Sequence, residues 1–548
     1  MNEHLLEPLK FYESKGKQLH SENVSGRFDE LLAQSGINAD ENRATVKAYN
    51  HEKTLLDGVK KKISKYKLLR GLLIAAVVIG ALLAVWGIIE LNAIYIGIGA
   101  VAIVASLLFI TKKMNPLIKN TEVVLSKHEA RAAELLSEAE VQMAPLNALF
   151  KDDETFRLIE KTIPEMSFEE RFSPELKAFL KKEDPKNAFE NAEASTTCAV
   201  SGSFSKNPFV FLRRLVHTMG VHTYVGSLVI RWTETYRDSE GRTRTRTRTQ
   251  TLTATVVKPK PYYSNETSLC YATQAAPELS FSRKPTHAED LSEKQIERKI
   301  KAGKKQLEKK AQKSLSEGKS FQEMSNAEFD VLFGATDRDH EVQFRLLFTP
   351  LAQRNLTALI KNETGYGDDF AFTKKKELNI IRSEHSQSWS ISTSARNYYS
   401  YDVDTAKARF ESFNNEYFKS VFFDFAPLLS IPAHLDEPTN FLVDTTNERT
   451  LFSSLEHEIM ANQLGSSRFT PTNARTETIL KTRCLSSSAA ADTVEVSAYS
   501  YATADRVDFV PTLGGDGRIH PVPVPWIEYI PVDSATVMTV SADGKANI

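Results

Sequence analysis

Two short stretches carry residue types that could do chemistry. In residues 366–369 (YGDD) the adjacent carboxylates could bind the divalent metals of nucleotidyl transfer. That reaction needs a further metal-binding aspartate on a preceding strand and a nucleotide-binding segment, and no such set can be placed in this chain. A Gly-Asp turn that leads into the apolar residues 370–372 (FAF) explains the stretch better.

The second stretch is the Glu-His-Glu of residues 456–458, which lacks the histidine four residues on that a zinc-protease helix requires. Glycine-rich phosphate loops, dinucleotide fingerprints and nucleophile elbows are also missing from the sequence. Cys198, Cys270 and Cys484 stand singly, which is typical of a reducing compartment and disfavours zinc sites and disulfides. We therefore expect a protein that is not an enzyme and that binds no metal or cofactor. An enzyme with a non-standard site is the alternative.

The most unusual local feature is the alternation of arginine and threonine in residues 242–249 (RTRTRTRT). In a strand the guanidinium groups project from one face, about 6.8 Å apart, where they could bind phosphates of lipid headgroups or of nucleic acid. The alternative is a solvated edge strand whose charges prevent aggregation. Nucleic acid is the weaker candidate because no aromatic platform or helix-turn-helix pattern accompanies the row. These residues form the arginine row: Arg242, Arg244, Arg246 and Arg248.

The arginine row lies in a segment that reads as one long β-hairpin. Residues 224–236 and 242–257 have strand composition, and the turn between them ends at Gly241, which is well placed as the left-handed residue of a three-residue loop with a bulge. The following KPKPYYSNET stretch reads as an extended connection.

The expected loop fixes the register of this hairpin by pairing position i with position 480 − i. Glu234 then lies opposite Arg246, and Trp232 lies opposite Arg248. The first pair predicts a cross-strand salt bridge and the second a cation–π contact, each of modest energy.

A second basic feature is the helix expected at residues 293–315, with nine Lys or Arg against three Glu. Near an anionic leaflet each basic residue contributes about 1 kcal/mol, so the helix could lie on a membrane or bind a partner. Its expected apolar face is poor, and a solvated linker helix is the alternative. The candidate anion-binding lysines are Lys304, Lys305, Lys309 and Lys310, and the expected apolar face is Ile296, Ile300, Leu307 and Leu315.

These candidates sit in a chain that carries two charge-free apolar segments, residues 71–89 and 93–110. At about 1.5 Å per residue each nearly matches a hydrocarbon core of about 30 Å, and neither has a polar face. The three-residue connection 90–92 predicts an antiparallel transmembrane hairpin. Small residues expected to let the two backbones approach are Gly80, Ala84, Gly97, Ala100 and Ala105.

Basic residues flank the expected spans on both outer sides, from Lys60 to Arg70 and from Lys112 to Lys119. The positive-inside rule then places both arms and both termini in the cytoplasm. The N-terminus has no signal-peptide pattern. Apolar residues at helical spacing continue on both sides as a stalk, which is either a spacer or oligomerisation surface or simply two amphipathic helices that cover each other.

The expected architecture is an α+β membrane protein with a transmembrane helical hairpin, a cytoplasmic helical stalk and a large cytoplasmic body of antiparallel β-sheet and helices. An aromatic helix is expected at residues 405–422, and the segment around 174–195 is charged and contains prolines. The expected modules are 1–68 (helices), 69–111 (membrane hairpin), 112–190 (stalk), 191–283 (β-rich), 284–325 (basic helix), 326–435 (α+β) and 436–548 (β-rich).

The block 326–360 (NAEFDVLFGATDRDHEVQFRLLFTPLAQRNLTALI) has legible folding signals. Residues 342, 344 and 346 alternate as one face of an expected strand, and Thr349 with Pro350 should cap and begin a helix. The block resembles the signature of an uncharacterised bacterial family of two-pass membrane proteins known only as a domain of unknown function. The matching positions are Phe329, Phe333, Asp337, Arg345, Leu347, Thr349, Pro350, Leu351, Leu356 and Leu359. The resemblance implies a membrane location and no known activity.

The chain has 548 residues with 69 Lys or Arg against 70 Asp or Glu, so its charge is unbalanced only locally. The composition excludes whole-chain disorder and a disulfide scaffold. The expected function is a membrane-anchored interaction or scaffold protein that engages anionic lipid headgroups or an acidic partner. The alternative is a subunit of an envelope-transport or stress-response membrane assembly. The expected partners are the bilayer, an unknown protein and a second copy bound through hairpin or stalk; nucleic acid is not expected.

Overall fold

The structure is a computed structural model that describes residues 5–169, 172, 176–177, 179–180, 191–237, 239–363, 365–389, 391–436 and 450–548. Most of the charged stretch expected around 174–195 and the hairpin-turn residue Asp238 lie outside these ranges. The chain divides into two compact units. The first comprises Met1–Gln18, Ile159–Ser392 and Tyr417–Ile548, and the second comprises Leu19–Leu158 and Thr393–Glu416.

The α-helices in the described ranges are Pro8–Phe11, Lys17–Ser35, Ala39–Ile89, Ala93–Phe109, Asn115–Leu149, Glu154–Thr162, Glu293–Ser316, Ala327–Phe333, Glu341–Leu347, Pro350–Ile360, His385–Ser388, Val403–Leu429, Ala433–Asp436 and Ser454–Leu464. A π-helical turn, Ile110–Met114, joins the fourth helix to the fifth, so that helical structure continues from Ala93 to Leu149. The basic helix therefore forms as expected, and the aromatic helix is longer than expected.

Two long helices dominate the second unit, and each is long and apolar enough to cross a membrane. They are Ala39–Ile89 and Ala93–Leu149, and only 11% and 17% of their most apolar windows are buried. The core helix of a soluble protein is mostly buried, whereas most of each of these two windows is exposed. The connection is short, as expected, and the Asn92 side chain begins the second helix by accepting a hydrogen bond from the Ile94 amide at 3.1 Å.

Small residues let the two apolar helices approach closely. A Cβ on Gly99 would lie 2.5 Å from the carbonyl oxygen of Gly80 and 2.9 Å from the amide nitrogen of Ala84. Gly80 and Ala84 therefore act as expected. Gly97, also expected at this contact, has nothing within 4 Å of its Cβ position because two residues along a helix turn a side chain to the opposite face.

Beyond the apolar segments the same two helices continue as an antiparallel pair. The side chains buried along them include Val46, Leu56, Ile63, Ala132, Leu135 and Ala139. Lys60 pairs with Glu129 at 3.4 Å and Lys67 with Glu122 at 3.1 Å across the seam. The stalk is thus a pair of amphipathic helices that cover each other.

The second unit has its own core at the end of the stalk. Phe28 and Phe410 pack with ring centroids 5.7 Å apart, and Phe150 lies 5.3 Å from Tyr398. The hydroxyl of Tyr398 hydrogen-bonds to Thr155 at 2.8 Å, which satisfies the buried polar end of that ring. Segments far apart in the sequence therefore share one apolar cluster.

The described strands of the first unit form two antiparallel sheets. The seven-stranded sheet has the order β1-β2-β3-β4-β7-β6-β5 and the four-stranded sheet the order β11-β10-β9-β8. The strands are β1 Met166–Glu169, β2 Ala194–Phe204, β3 Asn207–Arg237, β4 Thr243–Ala272, β5 Ser280–Arg283, β6 Phe370–Lys375, β7 Leu378–Ser383, β8 Ile479–Ser487, β9 Ala491–Leu513, β10 Ile519–Ser541 and β11 Ala546–Asn547.

Two hairpins in these sheets extend far beyond ordinary strand length. The long hairpin, β3–β4, has strands of 31 and 30 residues, and the short hairpin, β9–β10, has two strands of 23 residues. The expected KPKPYYSNET connection is part of β4, so the long hairpin continues into the body of the unit. Its inner end is buried at residues 209–212 and 269–272.

The strand expected at residues 342–346 is wrong, because Glu341–Leu347 is a helix. Val342 and Leu346 are 65% and 70% exposed, whereas Phe344 and Leu347 are buried. Buried residues at a spacing of three fit a helix face, and the alternation of apolar residues was too short to distinguish the two periods. The next helix begins as expected, with the Thr349 side chain accepting a hydrogen bond from the Ala352 amide and Pro350 in the first turn.

Candidate functional site

The arginine row lies at the far end of the long hairpin, where every side chain from 241 to 251 is exposed. The register is the expected one, with Glu234 opposite Arg246 and Trp232 opposite Arg248. Gly241 has a φ of +77°, the left-handed conformation that a glycine adopts without strain. The alternation therefore places Arg244, Arg246 and Arg248 on one face of β4 at the hairpin tip, and Arg242 directly precedes the strand.

Acidic neighbours contact several arginines of the row. Arg246 lies 3.3 Å from Glu234, which is the expected salt bridge, and Arg248 donates to the same carboxylate at 2.6 Å. The aromatic contact differs from expectation, because the Trp232 indole donates to Glu234 at 3.3 Å and Arg246 lies over the Tyr236 ring at 5.6 Å. Exposed pairs of this kind contribute at most about 1 kcal/mol each and do not cancel the local field.

The short hairpin covers the face of the long hairpin that leads up to the arginine row. Leu252 and Ala254 are buried against Val522 and Val524. The short hairpin covers the long hairpin as far as its own turn, where the Gly515 amide donates a hydrogen bond to the side chain of Gln250 at 2.7 Å. The arginine row therefore begins immediately beyond the end of the covering hairpin, on the same face.

The opposite face of the short hairpin is exposed and apolar near its tip. The large members of this apolar face are Val507, Phe509, Leu513 and Ile519, which are 51%, 66%, 67% and 69% exposed. Four prolines alternate with them in the paired strands: Pro511, Pro521, Pro523 and Pro525. An apolar face of this extent on an exposed hairpin is typical of a contact surface with protein or membrane.

The basic helix does not join the arginine row. Lys304, Lys305 and Lys309 are exposed, and the Lys310 ammonium donates to the Thr336 carbonyl at 2.5 Å. Of the expected apolar face, Ile296 and Leu307 are buried, but Leu315 is 81% exposed and contributes nothing to packing. The two basic surfaces have different neighbours and form two separate patches.

The paired aspartates of YGDD are engaged inside the protein. Asp368 accepts a hydrogen bond from the buried Arg283 and two from Thr286, each at 2.7 Å. Asp369 accepts from the ring Nδ1 of His385 at 2.5 Å. The stretch is the turn before β6 that the sequence indicated, and Gly367 has a φ of +59°.

His385 is the centre of a buried polar network. Burial lowers its pKa, but the hydrogen bond to Asp369 and the charges of Asp424 and Asp369 outweigh burial, so that the pKa is raised. Tyr366 stacks on the imidazole with ring centroids 3.9 Å apart, and Lys419 lies over Tyr366 at 4.4 Å. Ser386 donates to Asp424 at 2.6 Å, so the donors and acceptors of the network are used for structure.

The Glu-His-Glu stretch makes hydrogen bonds and an ion pair within the first unit. His457 hydrogen-bonds to Asp492 at 3.1 Å, and Glu458 accepts from the Thr196 amide at 3.0 Å while pairing with Lys481. Both groups join helix Ser454–Leu464 to strands of the first unit.

Among the described residues, three donors at the surface converge as a metal ligand set would. They are His287, Glu289 and Asp290, whose ligand atoms lie within 4.8 Å of one another. Burial raises the pKa of Glu289, which does not favour the carboxylate that a metal requires. The His287 side chain is half exposed, and no second feature of the site points to an ion.

A tyrosine-lined pocket, which was not predicted from the sequence, lies between the inner part of the long hairpin and the short hairpin. Its lining includes Glu193, His217, Tyr263, Tyr499, Tyr501 and Asp533. The alternating tyrosines of residues 499–501 (YSY) were the one available signal, but their partners come from segments hundreds of residues away.

Comparisons with protein-family models, with curated proteins and with solved structures found no match to this chain.

Proposed function

We propose that this protein is a membrane-anchored interaction protein whose long and short hairpins together bind an anionic phospholipid surface. The observation that carries the proposal is the position of the arginine row directly beside the apolar tip of the short hairpin. Guanidiniums bind phosphate through planar pairs of N–H donors, and apolar side chains beside them can enter the headgroup region. The combination is what an interfacial membrane contact requires.

The charge of the hairpin tip supports this ligand. Residues 231–248 hold six arginines against three acidic residues, a net charge of +3. Among the described residues, the carboxylates of Glu234 and Glu240 contact arginines of the row, but the net charge of the segment leaves this excess in place. Each excess cation contributes about 1 kcal/mol near an anionic leaflet, and the contribution falls with salt.

The proposed anchor is the pair of apolar helices, which would cross the membrane as a hairpin with both ends on the same side. The basic flanks favour the cytoplasmic side of a bacterial inner membrane for both arms, which is also the side where anionic lipid attracts polybasic segments. The resemblance of residues 326–360 to a two-pass membrane family is consistent with this proposal but names no activity.

The test uses the purified full chain in nanodiscs of neutral lipid, mixed with vesicles of phosphatidylcholine alone or with added phosphatidylserine. We expect flotation with the anionic vesicles only. The triple variant R244S/R246S/R248S should weaken this binding by about a hundredfold, because three cations at about 1 kcal/mol each are removed.

Two matched variants make the result specific. Replacing the same arginines by lysine keeps the charge and should retain most of the binding. The variant K304S/K305S/K309S removes equal charge from the basic helix and should have a smaller effect. Unchanged vesicle binding by R244S/R246S/R248S would exclude the lipid proposal, and binding of polyglutamate in place of vesicles would favour an acidic protein partner instead.

A further inference from the structure

The tyrosine-lined pocket has a volume of about 230 Å³, enough for a small organic molecule. It is formed entirely by residues of the first unit. His217 and Tyr263 face each other across β3 and β4, while Tyr501 and Tyr499 lie on β9. The pocket therefore exists because the register of two hairpins brings these side chains together.

Aromatic faces form one wall of the pocket. The imidazole of His217 lies between two tyrosines, with its ring centroid 5.3 Å from that of Tyr263 and 5.4 Å from that of Tyr501. The Tyr263 hydroxyl is held by Thr476 at 3.1 Å, and the same Thr476 hydroxyl accepts from the Tyr501 amide at 3.1 Å. These bonds fix the wall before any ligand arrives.

The charged groups of the pocket are acidic. Glu193 pairs with Nδ1 of His217, and Asp533 lies directly opposite Tyr499 in the paired strands β9 and β10. No lysine or arginine is among the lining residues. Burial, with the negative charge of Glu193 contributing, raises the pKa of both Tyr263 and Tyr501, so the phenols stay neutral at physiological pH.

One polar atom in the pocket wall lacks a partner. The His217 side chain is only 9% exposed, and its Nε2 is buried with no hydrogen-bond partner in the described part of the chain. In the tautomer whose Nδ1–H donates to Glu193, Nε2 carries the lone pair and can only accept a hydrogen bond. A buried acceptor left unpaired costs about 1–3 kcal/mol, which a ligand N–H would recover.

We propose that this pocket binds a small primary ammonium cation. The ammonium group would donate a hydrogen bond to Nε2 of His217 and lie near the carboxylates of Glu193 and Asp533. Its alkyl chain would pack on the tyrosine rings, whose faces attract cations. A quaternary ammonium has no N–H to donate, and an alcohol has no charge, so neither satisfies the whole site.

The test is calorimetric titration of the purified full chain at about pH 8 with n-butylammonium, tetramethylammonium and 1-butanol. At this pH the alkylamine is protonated. We expect n-butylammonium to bind at least about tenfold more tightly than either comparison compound. Equal affinity for 1-butanol, or no saturable binding of any of the three, would overturn the proposal.

Variants assign the parts of the site. Asp533→Asn and Tyr501→Leu should each weaken n-butylammonium binding by about tenfold, since one removes a charge and the other an aromatic face. Tyr501→Phe keeps the ring and should bind like the wild type, which controls for misfolding. His217→Phe should abolish the preference for n-butylammonium over tetramethylammonium, and a preference that survives would show that Nε2 is not the acceptor.

Discussion

At the scale of single residues, the first unit buries a lysine on an apolar strand face. Lys374 follows Phe370 and Phe372 on β6, and its ammonium donates to the Lys376 carbonyl at 2.5 Å. Burial lowers its pKa to about 7, with the charge of Glu377 opposing. Burial, with the charge of Lys374 contributing, also lowers the pKa of His434. Burial of the Lys374 ammonium therefore lowers the stability of the folded protein.

Lys374→Met should stabilise the protein and flatten its pH profile. The folded pKa of about 7 lies below the unfolded value of about 10.5, so the wild type gains stability as pH rises between them. The gain from about pH 6.5 to 9.5 should be about 3 kcal/mol. Thermal unfolding of both proteins over this range measures it, and parallel profiles would show that Lys374 is hydrated in solution.

His20 in the second unit has a pKa shift of the same direction, but its effect on stability falls in a lower pH range. It is buried and its Nε2 hydrogen-bonds to the Asn414 carbonyl at 3.2 Å, while burial lowers its pKa to about 4. The unfolded imidazole binds its proton near pH 6.5, so stability is lost as pH falls from there toward 4.

His20→Gln keeps a donor for the Asn414 carbonyl and cannot take up that proton. At about pH 4.5 the wild type should have lost about 2.5 kcal/mol more than the variant, relative to pH 7. Unfolding midpoints measured at both pH values give this difference, in which the other titrating groups cancel. Equal acid sensitivity of the two proteins would place the destabilising group elsewhere.

At the scale of elements, the confirmed predictions depend on residues that lie close together in the sequence. The register of the long hairpin followed from strict alternation and from one glycine, Gly241, that can adopt a positive φ. The helix at 350–360 followed from a cap and a proline. The strand predicted at residues 342–346 was wrong because a few alternating apolar residues fit the period of a strand and that of a helix equally well. The buried neighbours that decide between strand and helix are distant in sequence.

The apolar helical pair predicts a defined topology for labelling by an impermeant maleimide. Cys270 is buried and burial raises the pKa of Cys198 to about 11, so a Cys484→Ser background leaves little native reactivity. In intact cells Glu90→Cys should react, whereas Lys62→Cys should react only after permeabilisation. Labelling of Lys62→Cys alone in intact cells would reverse the orientation. Labelling of both positions, or of neither, before permeabilisation would contradict the membrane hairpin.

At the scale of the whole molecule, the candidate sites divide according to how far apart their residues lie in sequence. The arginine row is contiguous and could be predicted from the sequence by its period alone. The apolar face needs the pairing of two strands, and the tyrosine-lined pocket needs strands from both sheets. No local sequence pattern predicts that the residues of this pocket come together, because each of its tyrosines is a residue type that is common in any strand.

The discontinuous second unit has a consequence for how the protein is made. Its core residues from Val24 to Leu158 are synthesised first, yet Ala395 to Phe410 complete the same cluster. Roughly 230 residues separate the two parts, and at about 5–20 residues per second the ribosome needs tens of seconds to cross that interval. During this time Phe28 and Phe150 lack their final cover while the apolar helices have already emerged. Insertion of the proposed membrane hairpin would therefore precede closure of this core.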